Sequence, residues 1–278
     1  MSTIRLMGQN QWNNTDNLPE WEKQGLDCSS AVRMRGHTKV ISDIMPDILG
    51  GQEVNMRMQL DLKINCMAQN LPYTIIWGNM TPIIYRADKL ELLDTEYLLY
   101  PVRVDGFEGT FNDAQSKSVN VGVFRTKDDG NVFVFATTHL WWKSSAAQPG
   151  SAEMRKYQMA MASDLIAKYQ AKYGGCPAVL VGDMNAGYKA QAIRYALDEA
   201  GWKHAYDEAV EYRYEGKGFN GCGWYGPGVW QDEPFEKALD HILVRDMPVG
   251  AVRRFDRYCT DAYLALSDHA PVIVDLML

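Results

Sequence analysis

The sequence predicts an α+β sandwich, in which two sheets of short paired strands combine with a few helices. Apolar segments rich in β-formers recur along the 278 residues, and most follow one another through short turns such as 126–130. Helices intervene only sometimes, which argues against a regular β/α barrel or a Rossmann sheet. The predicted strands are TIRLMG, PDILGGQEV, YTIIWG, TPIIYR, SVNVGVF, NVFVFATTHL, PAVLVGD, ALDHILV and APVIVDLML.

Helical spacing of apolar residues predicts three helices, over residues 30–45, 152–173 and 190–200. The longest stretch without a regular pattern is 212–235, which interleaves glycines with aromatic residues. Long ordered loops in compact domains are often functional, so we expect this one to border a site.

Composition indicates one globular domain over residues 1–278. The chain is 46% hydrophobic and 23% charged, and it has no Pro/Ser-rich linker or charge block that would separate two units. The 35 acidic residues outnumber the 28 basic ones, for a net charge of -7. That balance disfavours tight nonspecific binding to nucleic acid, although bound metal cations can supply local positive charge that a net count misses.

The cysteines and the N-terminus point to an intracellular setting. The five cysteines are scattered and form no CxxC pair, so we expect reduced thiols and no thiolate zinc site. The N-terminal residues contain no apolar run suited to a signal peptide or a membrane span. We therefore expect a cytoplasmic protein without stable membrane attachment; the sequence does not indicate its oligomeric state.

Polar residues of ligand type recur where apolar segments end, and a strand end presents such residues at the rim of a sheet. Each is weak evidence alone, because GDxN also suits a strand followed by an Asx-turn and a lone histidine is usually a packing or surface residue. Three of the five histidines nevertheless fall in this set. Its members are Asn10, Glu53, His139, Asp183, Asn185 and the pairs Asp240–His241 and Asp268–His269.

In order, Asn10, QE at 52–53, THL at 138–140, GDMN at 182–185, Asp240 and SDHAP at 267–271 resemble the endonuclease/exonuclease/phosphatase superfamily over nearly the whole chain. The resemblance implies a four-layer α/β sandwich with two packed, mainly antiparallel sheets flanked by helices. It also implies metal-assisted hydrolysis of phosphate esters. The superfamily includes deoxyribonucleases, abasic-site endonucleases, deadenylases, sphingomyelinases and inositol-polyphosphate phosphatases, so these motifs say little about the substrate.

The resemblance implies that Glu53, Asn10 and Asp268 hold Mg²⁺ or Mn²⁺. Their oxygen donors suit a hard divalent cation, and no Cys/His zinc pattern competes with them. Whether one or two ions bind stays open.

The same resemblance implies the catalytic roles. Asp183 would orient and deprotonate the attacking water, and Asn185 would hold the phosphate or the water. Asp240 would pair with His269, which contacts a nonbridging oxygen, because a carboxylate on one ring nitrogen favours the imidazolium. His139 would contact the phosphate or assist the leaving group.

The remaining histidines and one basic position need separate treatment. His241 should point to the opposite face of its strand from Asp240, so we assign it, with His37 and His204, a structural role. Many relatives carry an arginine before the strand that leads to THL, whereas this chain offers Lys117 and Asn120. Both are candidate substrate-binding residues, although a lysine lacks the bidentate fork of arginine.

Two tryptophans on loops, Trp142 and Trp224, are candidate substrate-binding residues as well. Their rings could stack on a base, a sugar or a lipid headgroup, or they could simply pack the loops down. We predict a phosphodiesterase or phosphatase acting on a small or single-ended phosphoester. A DNA or RNA nuclease is the first alternative, and a noncatalytic binding module that keeps the fold is the second.

Overall fold

A computed structural model describes residues 3–14, 16–220 and 230–278. In chain order, its helices are α1 (Pro19–Lys23), α2 (Ser30–Ile44), α3 (Met56–Ala68), α4 (Ser151–Lys172), α5 (Gln191–Asp198), α6 (Ala205–Glu208) and α7 (Asp261–Leu264). Its strands are β1 (Thr3–Asn10), β2 (Ile48–Gln52), β3 (Tyr73–Ile76), β4 (Ile83–Arg86), β5 (Leu90–Leu99), β6 (Ser118–Thr126), β7 (Val132–His139), β8 (Ala178–Asp183), β9 (Lys203–His204), β10 (Glu211–Tyr212), β11 (Lys217–Asn220), β12 (Gln231–Pro234), β13 (Asp240–Arg245), β14 (Val252–Arg257) and β15 (Val272–Met277).

Two large sheets carry the fold. One has the strand order β10-β14-β15-β1-β2-β4-β3, and the other has the order β5-β6-β7-β8-β13-β9. Most neighbouring strands are antiparallel, but β1 runs parallel to β2 and β7 runs parallel to β8 at the centres of the sheets. Strands β11 and β12 form a separate hairpin.

The buried side chains divide into layers that follow the alternation of side chains along a strand. In β8, Val179 and Val181 enter the core between the sheets, whereas Ala178 and Leu180 enter the core beneath α4 and α5. A third core joins α2 and α3 to the outer face of the seven-stranded sheet. The arrangement is therefore helix, sheet, sheet, helix, which confirms the predicted fold class.

The sheets approach closely at a glycine in β2. A Cβ atom on Gly50 would lie 2.4 Å from Cγ2 of Val181 and 2.6 Å from Cβ of Thr137, distances that packed atoms do not adopt. The missing side chain lets the end of β2 rest against β7 and β8. Residues at or just beyond the ends of these three strands are thereby brought to one edge of the sandwich.

Most predicted elements are present, with some omissions. The sequence patterns missed the longer elements α3, β5 and β14 and the short elements α1, α6, α7, β9 and β10. The predicted 212–235 loop contains the paired strands β11 and β12. Trp224 lies outside the described residues. In the described part of the chain no helix is long and apolar enough to cross a membrane.

Candidate active site

The candidate residues meet because of how the strands are paired. In the parallel pairs, Asn10 lies beside Gln52, and His139 lies beside Asp183. Strand β13 runs antiparallel to β8, so its first residue, Asp240, also pairs with Asp183. The ends of β1, β2, β7 and β8 and the starts of β13 and β15 therefore share one edge of the sandwich.

A cleft of about 360 Å³ opens at this edge. It contains eight of the twelve residues that the sequence proposed for the site and four that it did not. The proposed residues are Glu53, Lys117, His139, Trp142, Asp183, Asn185, Asp268 and His269. The additional ones are Trp12, Asn13, Met80 and Ser116.

Asp183 is buried at the centre of the site and is held by two donors. The Asn10 side-chain amide donates to Oδ2 at 3.0 Å, and the backbone N–H of Asn185 donates to Oδ1 at 2.9 Å. Burial raises the pKa of Asp183 to about 6. A carboxylate with a pKa close to neutrality is suited to accept a proton during catalysis.

Asp240 and His269 form a hydrogen-bonded pair. His269 Nδ1 lies 2.7 Å from Asp240 Oδ2, and Nε2 lies 3.9 Å from Asp183 Oδ2. Burial alone would lower the pKa of His269, but the neighbouring carboxylates Asp240, Asp268 and Asp183 raise it well above its usual value. The ring is therefore cationic near neutral pH, with Nδ1–H donating to Asp240 and Nε2–H on the Asp183 side.

His139 has the opposite electrostatics. Burial, reinforced by the Lys117 ammonium and by His269, lowers its pKa well below the usual value. Lys117 Nζ lies 2.6 Å from Nε2 and 3.2 Å from Nδ1 of this neutral ring. Burial also lowers the pKa of Lys117, to about 8, so the lysine is still mostly charged near pH 7.

Glu53 and Asp268 supply carboxylate oxygens to the same cleft. Asp268 Oδ1 is buried and accepts no hydrogen bond within the described residues. Burial raises the pKa of Asp268, and the negative charge of Glu53 adds to the effect. A buried oxygen without a donor, in the same cleft as a second carboxylate, fits a hard divalent cation.

Histidine and acidic groups in the cleft could also hold a metal. The ligand atoms of Glu53, His139 and Asp183 lie within 4.8 Å of one another, and so do those of Asp183, Asp240 and His269.

Glu53 and Asn185 both have left-handed backbone conformations, with φ of 58° and 46°. Non-glycine residues rarely adopt this conformation, and it is more frequent at functional sites.

Two of the proposed residues have other contacts. Asn120 is fully buried in β6, where its side-chain amide donates to the Thr81 carbonyl at 3.0 Å, and it does not line the cleft. Asn10 accepts from the Trp12 N–H through Oδ1, at 2.9 Å, while its amide holds Asp183. These contacts favour a role for Asn10 in orienting Asp183, and its role as a metal ligand stays a prediction.

The other histidines lie away from the cleft. His241 Nδ1 lies 2.9 Å from His204 Nε2, and His241 Nε2 lies 2.8 Å from the Ala186 carbonyl oxygen. His37 is buried against Gln9, whose amide lies 2.8 Å from Nδ1. All three are packed inside the molecule, as the strand alternation at His241 predicts for that residue.

Arg33 is a residue that sequence reasoning missed. It is fully buried in α2, and its guanidinium donates to the backbone carbonyls of Cys28, Gln11, Leu266, Trp12 and Asn14. Three of these acceptors follow Asn10, and Leu266 precedes the segment that carries Asp268 and His269. The only sequence signal is that Arg33 shares the buried helical face of Met34, His37 and Ile41.

The model of the endonuclease/exonuclease/phosphatase family matches residues 28–269. The chain belongs to this family. Family members are hydrolases that act on phosphoesters. No curated protein matches the chain significantly.

Solved structures of family members share the fold. The endonuclease/exonuclease/phosphatase protein of Bacteroides vulgatus superposes with a TM-score of 0.75 at 23% identity, covering 100% of both chains. The mannosyl-6-phosphatase of Bacteroides thetaiotaomicron gives 0.69 at 20% identity, covering 99% of this chain and 100% of its own. The human Nocturnin catalytic domain, with a bound sulfate anion, gives 0.60 at 18% identity, covering 98% of this chain and 93% of its own.

Proposed function

We propose that the protein is a divalent-metal-dependent phosphoesterase that acts on a small or single-ended substrate. The observation that carries the proposal is the convergence of Glu53, Asp268, Asp183, His139 and the Asp240–His269 pair on one cleft. Phosphoester hydrolysis needs cations to offset developing negative charge, a proton acceptor for water and fixed positions for both. The side chains around the cleft can meet each of these needs.

Glu53 and Asp268 would hold the ion, with Mg²⁺ and Mn²⁺ as candidates because the donors are oxygens. When bound, the ion would polarise the phosphoryl oxygen and stabilise the leaving oxyanion. Asp183, aligned by Asn10 and Asn185, would accept the proton of the attacking water. The His269 imidazolium, oriented by Asp240, would donate to a nonbridging oxygen, and the Asn185 side chain would contact the phosphate.

The size and walls of the cleft support a small substrate. Its volume of about 360 Å³ lies near the lower end of the usual range for small-molecule sites. Trp142 is 59% exposed at the rim, and Lys143 Nζ lies 5.6 Å from the centre of its ring. An aromatic face beside a cation could hold a sugar or a base attached to the phosphate.

A substrate panel tests the proposal. Metal-stripped protein is assayed with Mg²⁺ or Mn²⁺ on sugar phosphates, nucleotides, inositol phosphates, phospholipids, a chromogenic phosphodiester, and single-stranded and duplex nucleic acids. We expect hydrolysis of a small ester that chelator abolishes and either ion restores. Glu53→Gln should weaken binding of the ion, so that activity requires a higher ion concentration. Glu20→Gln, at an exposed position in α1, is the matched control.

Each other outcome supports a different conclusion. Full activity in excess chelator contradicts the metal-dependent mechanism. Cleavage of internal nucleic-acid bonds in preference to every small ester would identify a nuclease. Binding without turnover across the panel would identify a noncatalytic module.

A further inference from the structure

Lys117 occupies an unusual position for a lysine. It is 5% exposed, and no ion pair of the described residues includes it. Its backbone is fixed from both sides, because Asn112 Oδ1 accepts from the Lys117 N–H at 2.8 Å and the Asn112 amide donates to the Lys117 carbonyl at 2.8 Å. Ser118, the next residue, pairs with His139 across β6 and β7. These contacts fix the position of Lys117 beside His139.

The Lys117 ammonium lies against the nitrogen that a metal would need. Lys117 Nζ lies 2.6 Å from Nε2 and 3.2 Å from Nδ1 of His139. Nε2 is 3.4 Å from Asp183 Oδ2 and 3.9 Å from Glu53 Oε1. A ligating histidine gives its lone pair to the metal at about 2 Å. A cation bound to Nε2 would lie within about 5 Å of the ammonium, so the two positive charges would repel each other.

We propose that Lys117 is a resident cation that closes the Glu53–His139–Asp183 group to a metal, so that this group adds no second ion to the one on the side of Glu53 and Asp268. This inference rests on the proposed function, because it specifies the metal content of the same site. Two-metal phosphoesterases place a second ion about 4 Å from the first to balance charge on the reacting phosphate. Here the Lys117 ammonium, which lines the cleft, supplies a fixed positive charge in its place.

Metal counting tests the inference without any substrate. Metal-stripped protein is titrated with Mn²⁺, and bound ions per chain are measured by equilibrium dialysis and by electron paramagnetic resonance of free Mn²⁺. We expect one ion in the wild type, two in Lys117→Met and one again in Lys117→Met/His139→Ala. Lys117→Arg keeps the charge and should stay at one, and surface binding common to all variants cancels in the differences.

Several outcomes would overturn the inference. A wild type that binds two ions and loses one on His139→Ala alone would show that Lys117 does not close the group, and this comparison needs no Lys117 variant to fold. A count of one in folded Lys117→Met and Lys117→Gln would show the same. Circular dichroism and thermal melting establish that each variant is folded before its ions are counted.

The test separates this inference from the proposed function. If the wild type binds no ion but Lys117→Met gains one that His139→Ala removes, the closure by Lys117 stands and the Glu53–Asp268 metal site fails. If the counts follow expectation while the wild type hydrolyses no phosphoester, the metal content stands and the proposed function fails.

Discussion

Asp183 is fixed between two nitrogen donors, so its replacement by asparagine is a test of chemistry more than of folding. Asp183→Asn keeps the size of the side chain and removes the proton acceptor. We expect kcat to fall by about 10²- to 10⁴-fold, the usual contribution of a general base, with the melting temperature unchanged or slightly raised because a buried charge is removed. Kinetics and thermal melting of the same preparations measure both effects.

Asp128→Asn, in the exposed β6–β7 turn, is the control for Asp183→Asn and should leave both quantities unchanged. Retention of most of the wild-type kcat by a folded Asp183→Asn would exclude Asp183 as the base. A large fall in melting temperature would instead indicate that Asp183 mainly stabilises the strand edge.

The 2.7 Å contact between His269 Nδ1 and Asp240 Oδ2 predicts that the two residues act as one unit. Asp240 touches the site through the imidazole, so once the ring is gone it has nothing left to orient. Asp240→Asn combined with His269→Ala should cost no more than about 0.5 kcal/mol of transition-state stabilisation beyond His269→Ala alone. The four values of kcat/KM give the coupling directly, and fully additive losses would show that Asp240 acts independently of His269.

At the scale of elements, Arg33 joins helix α2 to both loops that carry the site. Its guanidinium donates to carbonyls on the segment after β1 and to Leu266, before β15, and its carbon Cζ lies 4.9 Å from the centre of the Trp12 ring. A buried cation bound by carbonyls alone gains no ion pair, and burial lowers its pKa to about 10. Arg33 therefore contributes to stability through the hydrogen bonds that fix the two loops relative to each other.

Arg33→Met should leave these buried carbonyls without donors and reduce the free energy of unfolding by at least about 3 kcal/mol. Urea unfolding measures the loss. Arg35→Met, on the exposed side of the same helix, should change it by less than about 0.5 kcal/mol. If Arg33→Met lowers the free energy of unfolding no more than Arg35→Met does, Arg33 does not hold the two loops together.

Elements of the fold differ in how clearly the sequence predicts them. Strands such as β8 were predictable because both of their faces are buried and their apolar runs are unbroken. Helix α3 was missed because Met56, Leu60 and Ile64 are exposed while Met58 and Leu62 are buried, so its apolar residues mark no single face.

The site residues were predictable for a different reason. Asp183, Asp240 and His269 stand at strand ends in recognisable motifs, and strand pairing brings such ends together. Lys117 was a weak candidate in the sequence, because its burial and its contact with His139 depend on pairing between β6 and β7 and on Asn112. Arg33 carried no motif, since a buried arginine with carbonyl partners is defined by tertiary contacts alone.

At the scale of the whole molecule, buried histidines make folding stability depend on pH. Burial lowers the pKa of His37 to about 3 and that of His241 to about 4, and it lowers the pKa of His204 well below its usual value. In the unfolded chain these rings protonate near pH 6.5. Between about pH 6.5 and pH 4 the unfolded state therefore binds more protons, so stability falls as pH falls.

Asp183 acts in the opposite direction over part of this range. Its folded pKa of about 6 exceeds the unfolded value, so below about pH 6 the folded state binds a proton that the unfolded state takes up only near pH 4. Asp268, whose pKa is also raised by burial, adds to this opposing effect. Burial also lowers the pKa of His139 well below its usual value. Four histidines therefore outweigh two carboxylates, and we expect a net loss of stability on acidification.

A single variant isolates the histidine contribution. His37 is packed near the Arg33 guanidinium, which further lowers its pKa, and its ring centre lies 5.8 Å from that of Tyr263. His37→Asn keeps an acceptor for the Gln9 amide but cannot titrate. Acidification from about pH 7 to about pH 5 should lower the free energy of unfolding of His37→Asn by about 2 kcal/mol less than that of the wild type. The reason is that one ring held neutral in the folded state contributes about 1.4 kcal/mol per pH unit below its unfolded pKa. Urea unfolding at the two pH values measures this difference even if the variant is less stable throughout. Asp183→Asn should change the same quantity with the opposite sign, and an identical pH dependence in the wild type and His37→Asn would show that the His37 ring is not held neutral by its burial.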